Sequence, residues 1–175
     1  MDESLARRVY DACHLTGSFL LRSGQTSSEY FDKYLFEADP ALLLEVATAM
    51  RERLPTCDAL VGMELGGIPL ATVLSQLTGL PTAFLRKQAK EYGTRKQAEG
   101  PDLDGRHVAL VEDVVTSGGA LLEAIPLLRR LGATVSVAVC AIDRQQGGAE
   151  ALAAQGVELR AVLTRDVLER SVAGD

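Results

Sequence analysis

The chain has 175 residues, which suits one domain and can bury a sizeable core. Apolar residues make up 47% and charged residues 24%, ordinary globular usage, and the net charge is −6. That acidity argues against a chain built to hold nucleic acid, no apolar run approaches the roughly 20 residues of a membrane span, and two distant histidines give zinc little to build on.

Ser4 to Leu15 places Leu5, Val9, Ala12 and Cys13 at helical spacing. Ser18 to Phe36 alternates poorly around Gly17 and Gly24 and reads as short strands and turns. Asp39-Pro40 is a helix start, with Asp as N-cap and Pro in the first turn, and that helix should run to about Leu54. A regular rhythm follows: strand Ala59–Met63, helix Gly67–Leu77, strand Thr82–Leu85, strand His107–Val111, helix Leu121–Leu131 closed by Gly132. Strand Val135–Ile142, helix Ala149–Gln155, strand Val157–Leu163 and a last helical turn or two from Arg165 complete it. Continuous apolar strands alternating with helices predict an α/β fold: a three-layer, doubly wound, mainly parallel five-stranded sheet. Only Arg86–Asp104 breaks the rhythm. It is a polar insert with five basic residues between Arg86 and Lys96, and long inserts of this kind are usually functional.

The cysteines, Cys13, Cys57 and Cys140, form an odd, sparse set without metal-ligand spacing. With the polar, acidic start MDESLARRVYDA, they fit a reducing, cytoplasmic setting. His14 and His107 join no constellation and read as structural.

The stretch VALVEDVVTSGGA, from Val108 to Ala120, ends an apolar strand in two acids and then turns on hydroxyls and glycines. Carboxylates at a strand's carboxyl end lie where ligands bind in doubly wound sheets. Two adjacent carboxylates can accept hydrogen bonds from a ribose diol. Glycines before a helix let backbone N–H groups approach a phosphate. The plain alternative is an ordinary strand-to-helix turn with solvated acids. A Walker A loop is excluded because no Lys follows the glycines, and G-x-G-x-x-G is absent.

This stretch resembles the phosphoribosyl pyrophosphate (PRPP) motif of the type I phosphoribosyltransferases. FLLRSGQTSSEYFD (Phe19–Asp32), FLRKQAKEYGTRKQAEG (Phe84–Gly100) and AIDRQQGGAEAL (Ala141–Leu152) are similar to segments of the orotate phosphoribosyltransferases, in order and at fitting spacing. The resemblance spans nearly the whole chain. It implies one domain, with a small N-terminal hood over residues 1–38 and an α/β core over 39–175.

The resemblance also implies roles. Glu112 and Asp113 would bind the ribose hydroxyls, and the loop Val114, Val115, Thr116, Ser117, Gly118, Gly119 and Ala120 the 5-phosphate. Arg86, Lys87 and Lys90 match the family's cationic loop, where cations offset charge on the leaving pyrophosphate. Lys87, Lys90 and Asp113 are the catalytic candidates. Tyr92 stands where some members have a pyrophosphate-contacting His. Glu64, Leu65 and Gly66 match the pyrophosphate loop, with a cis Glu64–Leu65 peptide and a Gly where some relatives have Lys. Arg22, Tyr30, Phe31, Thr116 and Arg144 match positions around the orotate, Arg144 as the fork for its carboxylate.

The implied reaction moves the phosphoribosyl group of PRPP to N1 of orotate. It yields orotidine 5′-phosphate and pyrophosphate, a step of pyrimidine biosynthesis. Mg²⁺ would be held mainly by substrate oxygens. The implied partners are these small molecules and a second copy of the chain, in a homodimer with shared active sites. Two rivals keep the cradle: a purine phosphoribosyltransferase, with different hood and base contacts, and a PRPP-sensing regulator, which predicts a basic face or an added nucleic-acid module.

Overall fold

The computed structural model describes residues 3–20, 24–88 and 97–173. Helix α1 (Glu3–Cys13) leads into an antiparallel hairpin of β1 (His14–Leu20) and β2 (Thr26–Phe31), then a short helix α2 (Tyr34–Ala38). The expected helix to Leu15 ends earlier because His14 and Leu15 pair with Phe31 and Tyr30 across the hairpin. His14 therefore heads a strand.

Helix α3 (Pro40–Arg51) starts where the Asp-Pro pair predicts. Asp39 accepts hydrogen bonds from the N–H groups of Ala41 (2.8 Å) and Leu42 (3.1 Å). Strand β3 (Ala59–Met63) is buried throughout, and helix α4 (Gly67–Thr78) closes on Gly79 at φ 74°. After β4 (Thr82–Leu85) come β5 (Ala98–Glu99), β6 (His107–Val115) and α5 (Gly119–Arg130). Strand β7 (Thr134–Asp143), α6 (Gly148–Ala153), β8 (Glu158–Thr164) and α7 (Arg165–Val172) complete the chain. Pro126 lies on the exposed side of α5, where water can satisfy the carbonyl that loses its donor.

Among the described residues the main sheet has six strands in the order β5-β4-β3-β6-β7-β8, not the five expected. The sixth is the two-residue edge strand β5, antiparallel to β4 and set inside the polar insert, too short to show a pattern. The other five are parallel. Strands β3 and β6 are neighbours, and the strand order reverses between them. Strand β6 also runs four residues past the expected end at Val111. Its pairing with β7 continues through Val114↔Ile142 and Val115↔Asp143.

Two apolar clusters sandwich the sheet. One joins α1, α2, α3, α4 and α7 to residues such as Leu60, Ala109 and Val137. The other joins α5 and α6 to Val61, Leu110 and Ala138. Alternate residues of each strand serve opposite faces, so both faces are apolar. Among the described residues no helix is long and apolar enough to cross a membrane.

Candidate active site

Glu112 and Asp113 lie inside β6, beside the point where the strand order reverses. Both are buried, Asp113 completely. The Asp113 N–H donates to Glu112 Oε1 (3.1 Å), and the Val114 N–H donates to Asp113 Oδ1 (2.5 Å). Asp113 Oδ2 lies 2.5 Å from the Lys33 ammonium, which comes from the turn before α2. Glu37, also on α2, is buried against the same carboxylate. Sequence reasoning missed Lys33 and Glu37. The available signal was two charges four apart in DKYLFEA, flanking the apolar Leu35 and Phe36.

This cluster sets its own charges. Burial, and then the nearby Asp113 charge, push the Glu112 carboxyl up to about 9 and that of Glu37 to about 8, from ordinary values of 4.5. Burial also opposes ionisation of Asp113, but its contacts with Glu112 and Lys33 outweigh that and hold it below its ordinary value. Lys33 is the mirror case. Burial opposes its charge, and the hydrogen bond to Asp113 wins and raises its pKa.

A stability prediction follows from the two raised carboxyls. Folded, Glu37 and Glu112 keep protons that the unfolded chain releases near pH 4.5. Their stabilisation is complete below that pH and is lost as pH climbs through 8 to 9, at up to about 1.4 kcal/mol per pH unit for each group. Denaturant unfolding of wild type and Glu37→Gln at several pH values isolates the Glu37 share. Wild type should lose stability relative to the variant as pH rises, and parallel curves would show that Glu37 keeps no proton.

The loop after β6 is open to solvent at Thr116, Ser117, Gly119 and Ala120, while Gly118 is buried with φ 78° before α5. A cavity of about 70 Å³ touches Glu112, Thr116, Gly118 and Gly119. Gly148 backs this loop: a Cβ there would lie 2.6 Å from the Thr116 carbonyl oxygen. The second glycine of DRQQGG thus has a packing role beneath the loop after β6.

The turn Glu64–Leu65–Gly66 joins β3 to α4, and the Glu64–Leu65 peptide is cis, as expected. Leu65 is exposed. The two glycines let this turn lie on β6. A Cβ at Gly66 would sit 1.7 Å from Asp113 Oδ2, and one at Gly67 2.3 Å from the Val111 carbonyl oxygen.

Glu64 Oε2 accepts the Lys87 N–H at 2.8 Å, so the turn also holds the root of the basic insert. The Arg86 N–H donates to the Gln97 carbonyl (2.9 Å), and Gln97 Nε2 donates back to Arg86 O (3.1 Å). These bonds tie the start of the insert to Gln97, just before β5. A cavity of about 320 Å³ connects Glu64, Arg86, Lys87, Gly119 and Ala120. Arg86 Nε is buried there without a hydrogen-bond partner among the described residues. Lys90 and Tyr92 lie outside the described residues, as does Arg22.

The Arg144 N–H donates to the Val115 carbonyl (2.8 Å), which sets residue 144 beside the loop after β6. Its guanidinium stands 5.8 Å from the Phe31 ring centroid, and its Nε is buried without a partner among the described residues. Tyr30 stacks on Phe19 at 5.4 Å. Tyr30, Phe31, Arg144, His14 and Arg165 line one cavity of about 290 Å³. The structure thus brings Phe31, Tyr30 and Arg144 together at the hairpin, and Glu64–Gly66, Arg86, Glu112 and Asp113 around the β3–β6 junction.

A family model of the phosphoribosyl transferase domain matches residues 36–157. The orotate phosphoribosyltransferase of Nocardioides sp. is 56% identical over 170 residues, covering 97% of this chain and 95% of the relative. That of Halobacterium salinarum is 45% identical over 159 residues, covering 91% and 90%. Among solved structures, Mycobacterium tuberculosis orotate phosphoribosyltransferase in complex with Fe(III) dicitrate superposes with a TM-score of 0.85 at 29% identity, covering 95% of this chain and 97% of that one. Its complex with PRPP gives 0.81 at 26% identity, covering 95% and 98%. With acids and glycine loop at the sheet's reversal and a half-buried guanidinium beside an aromatic hairpin, the chain belongs to the phosphoribosyltransferase family and, within it, to the orotate phosphoribosyltransferases.

Proposed function

We propose that this enzyme transfers the phosphoribosyl group of PRPP to N1 of orotate, releasing pyrophosphate. The observation that carries the reading is the Arg144 N–H bonded to the Val115 carbonyl. It puts a guanidinium suited to a planar carboxylate one strand away from acids suited to a ribose.

In this reading Glu112 and Asp113 accept the ribose hydroxyls, and backbone N–H groups of Val114 to Ala120 hold the 5-phosphate. Tyr30 and Phe31 flank the pyrimidine with Thr116 and Arg22, and Arg144 takes its carboxylate. The bond from C1 to the pyrophosphate oxygen breaks as the bond to N1 forms, and the N1 proton is taken up by the departing pyrophosphate. Glu64 to Gly66, Arg86, Lys87, Lys90 and Tyr92 meet the leaving pyrophosphate, where a cation is worth most as charge develops. The buried Arg86 Nε supports that assignment. Mg²⁺ would be held mainly by substrate oxygens. Bound there, it would offset part of the charge on the leaving pyrophosphate.

The reading extends to a cytoplasmic homodimer with shared sites, with residues 1–38 acting as a hood. Exposed Tyr34, Leu35 and Leu44 on α2 and α3 support a second copy against that face. The decisive assay offers orotate, uracil, hypoxanthine and adenine with PRPP and Mg²⁺. Loss of orotate absorbance, with no transfer to either purine, is the expected result. Transfer to a purine alone would overturn the reading.

A further inference from the structure

The reading above gives Asp113 to the ribose, and the inference that follows rests on it. Asp113 is fully buried, and both its oxygens are already engaged: Oδ1 by the Val114 N–H, Oδ2 by the Lys33 ammonium at 2.5 Å. The pyrophosphate turn offers this carboxylate no cation, because position 66 is glycine with no room for a Cβ. Glu37 Oε1 faces the same point, 2.7 Å from where that Cβ would be, and is buried without a hydrogen-bond partner among the described residues. Three carboxyls, those of Glu37, Glu112 and Asp113, gather round one ammonium.

Backbone geometry presents Lys33 there. The Asp32 N–H donates to the Cys13 carbonyl (2.8 Å), and Asp32 Oδ1 accepts the Tyr34 N–H (3.1 Å). The turn so fixed opens α2, which is anchored by the fully buried Phe36. The Lys33 ammonium also stands 5.3 Å from the Tyr34 ring centroid.

We propose that Lys33 is a positioning residue for phosphoribosyl transfer: the N-terminal segment holds its ammonium against Asp113 and so keeps that carboxylate ionised and aimed for the ribose hydroxyls. A carboxylate buried beside two other carboxyls takes up a proton unless a cation faces it. Once protonated, it accepts hydrogen bonds less strongly and spends one oxygen as a donor. The titratable and charged groups around this ammonium are Asp113 and Glu112 from β6, and Glu37, Asp32 and Tyr34 from the N-terminal segment. Recognition of the sugar is thereby tied to a residue that never touches it.

Lys33→Met keeps an unbranched stem and removes the charge. Its KM for PRPP should rise about tenfold or more near pH 6, and the defect should shrink towards about pH 9 as Asp113 ionises unaided. Its KM for orotate should change less than about threefold, and Lys33→Arg should recover most of the PRPP affinity. Lys33→Gln reads the same pH profile should the methionine variant not fold. Asp113→Asn, measured alongside, separates the two ways of failing. If it leaves the PRPP KM unchanged, the ribose assignment is wrong and the inference falls with it. If it weakens PRPP while Lys33→Met does not, or if Lys33→Met weakens both substrates equally at every pH, Lys33 is a structural ion pair only. The proposal is then overturned and the ribose assignment stands.

Discussion

Asp113→Asn should lower kcat/KM for PRPP by about a hundredfold or more and still give a folded protein. The variant keeps the shape of the side chain but turns one acceptor oxygen into a donor amide. Hydrogen bonds to a charged group are worth about 1.5 to 3 kcal/mol, against about 1 for neutral pairs. Two ribose hydroxyls meeting a neutral, half-reversed partner lose about 2 to 3 kcal/mol between them, which is about two powers of ten in rate. The fold should survive because Lys33, left without its partner, is one-third exposed and can turn to water. Glu37 and Glu112 also lose a neighbouring negative charge, so their own ionisation becomes easier. Steady-state kinetics with both substrates varied, beside a thermal melt, reads both halves. An unfolded variant would make Asp113 a structural ion, and unchanged kinetics would remove it from the sugar site.

Gly67→Ala should act on stability instead. The added Cβ would lie 2.3 Å from the Val111 carbonyl oxygen and 3.2 Å from its carbon, in the middle of the sheet. Neither atom can swing aside as a side chain can, because Val111 is paired on both sides within β6. Helix α4 must lift off the strand, opening contacts of Leu70, Ala71 and Leu74. A cost of about 3 kcal/mol is expected, at the upper end for overpacking. For a chain of this size that is a fall of about 6 to 12 °C in the thermal midpoint. A shift of only about a degree would mean that α4 tilts freely.

Much of this architecture is legible before folding, for local reasons. Ala59–Met63 and Thr82–Leu85 fall where expected because short apolar runs flanked by turn residues have few other options. The Asp39-Pro40 cap and the helix-closing Gly132 act within one turn of themselves. What escapes local reading depends on partners far along the chain. Glu112 and Asp113 look like the end of a strand, yet β7 carries the pairing past them. Strand β5 exists only because Phe84 and Leu85 are there to pair with. The acids of β6, the glycines after it and Arg144 are readable because they follow one another closely on consecutive strand ends. Lys33 and Glu37 are not, since only the folding of α2 against the β3–β6 junction brings them to Asp113.

The hydrogen bond from the Arg144 N–H to the Val115 carbonyl has a consequence for how such an enzyme can change over time. Residue 144 and the loop after β6 hang from adjacent rungs of a ladder whose spacing, about 4.8 Å, is a property of the backbone and of no side chain. The two strands work as a ruler. If Arg144 takes the base's carboxylate, as proposed, sequence drift at position 144 would change the kind of base that is welcome. Drift cannot lengthen the gap between residue 144 and the loop after β6 without breaking the sheet.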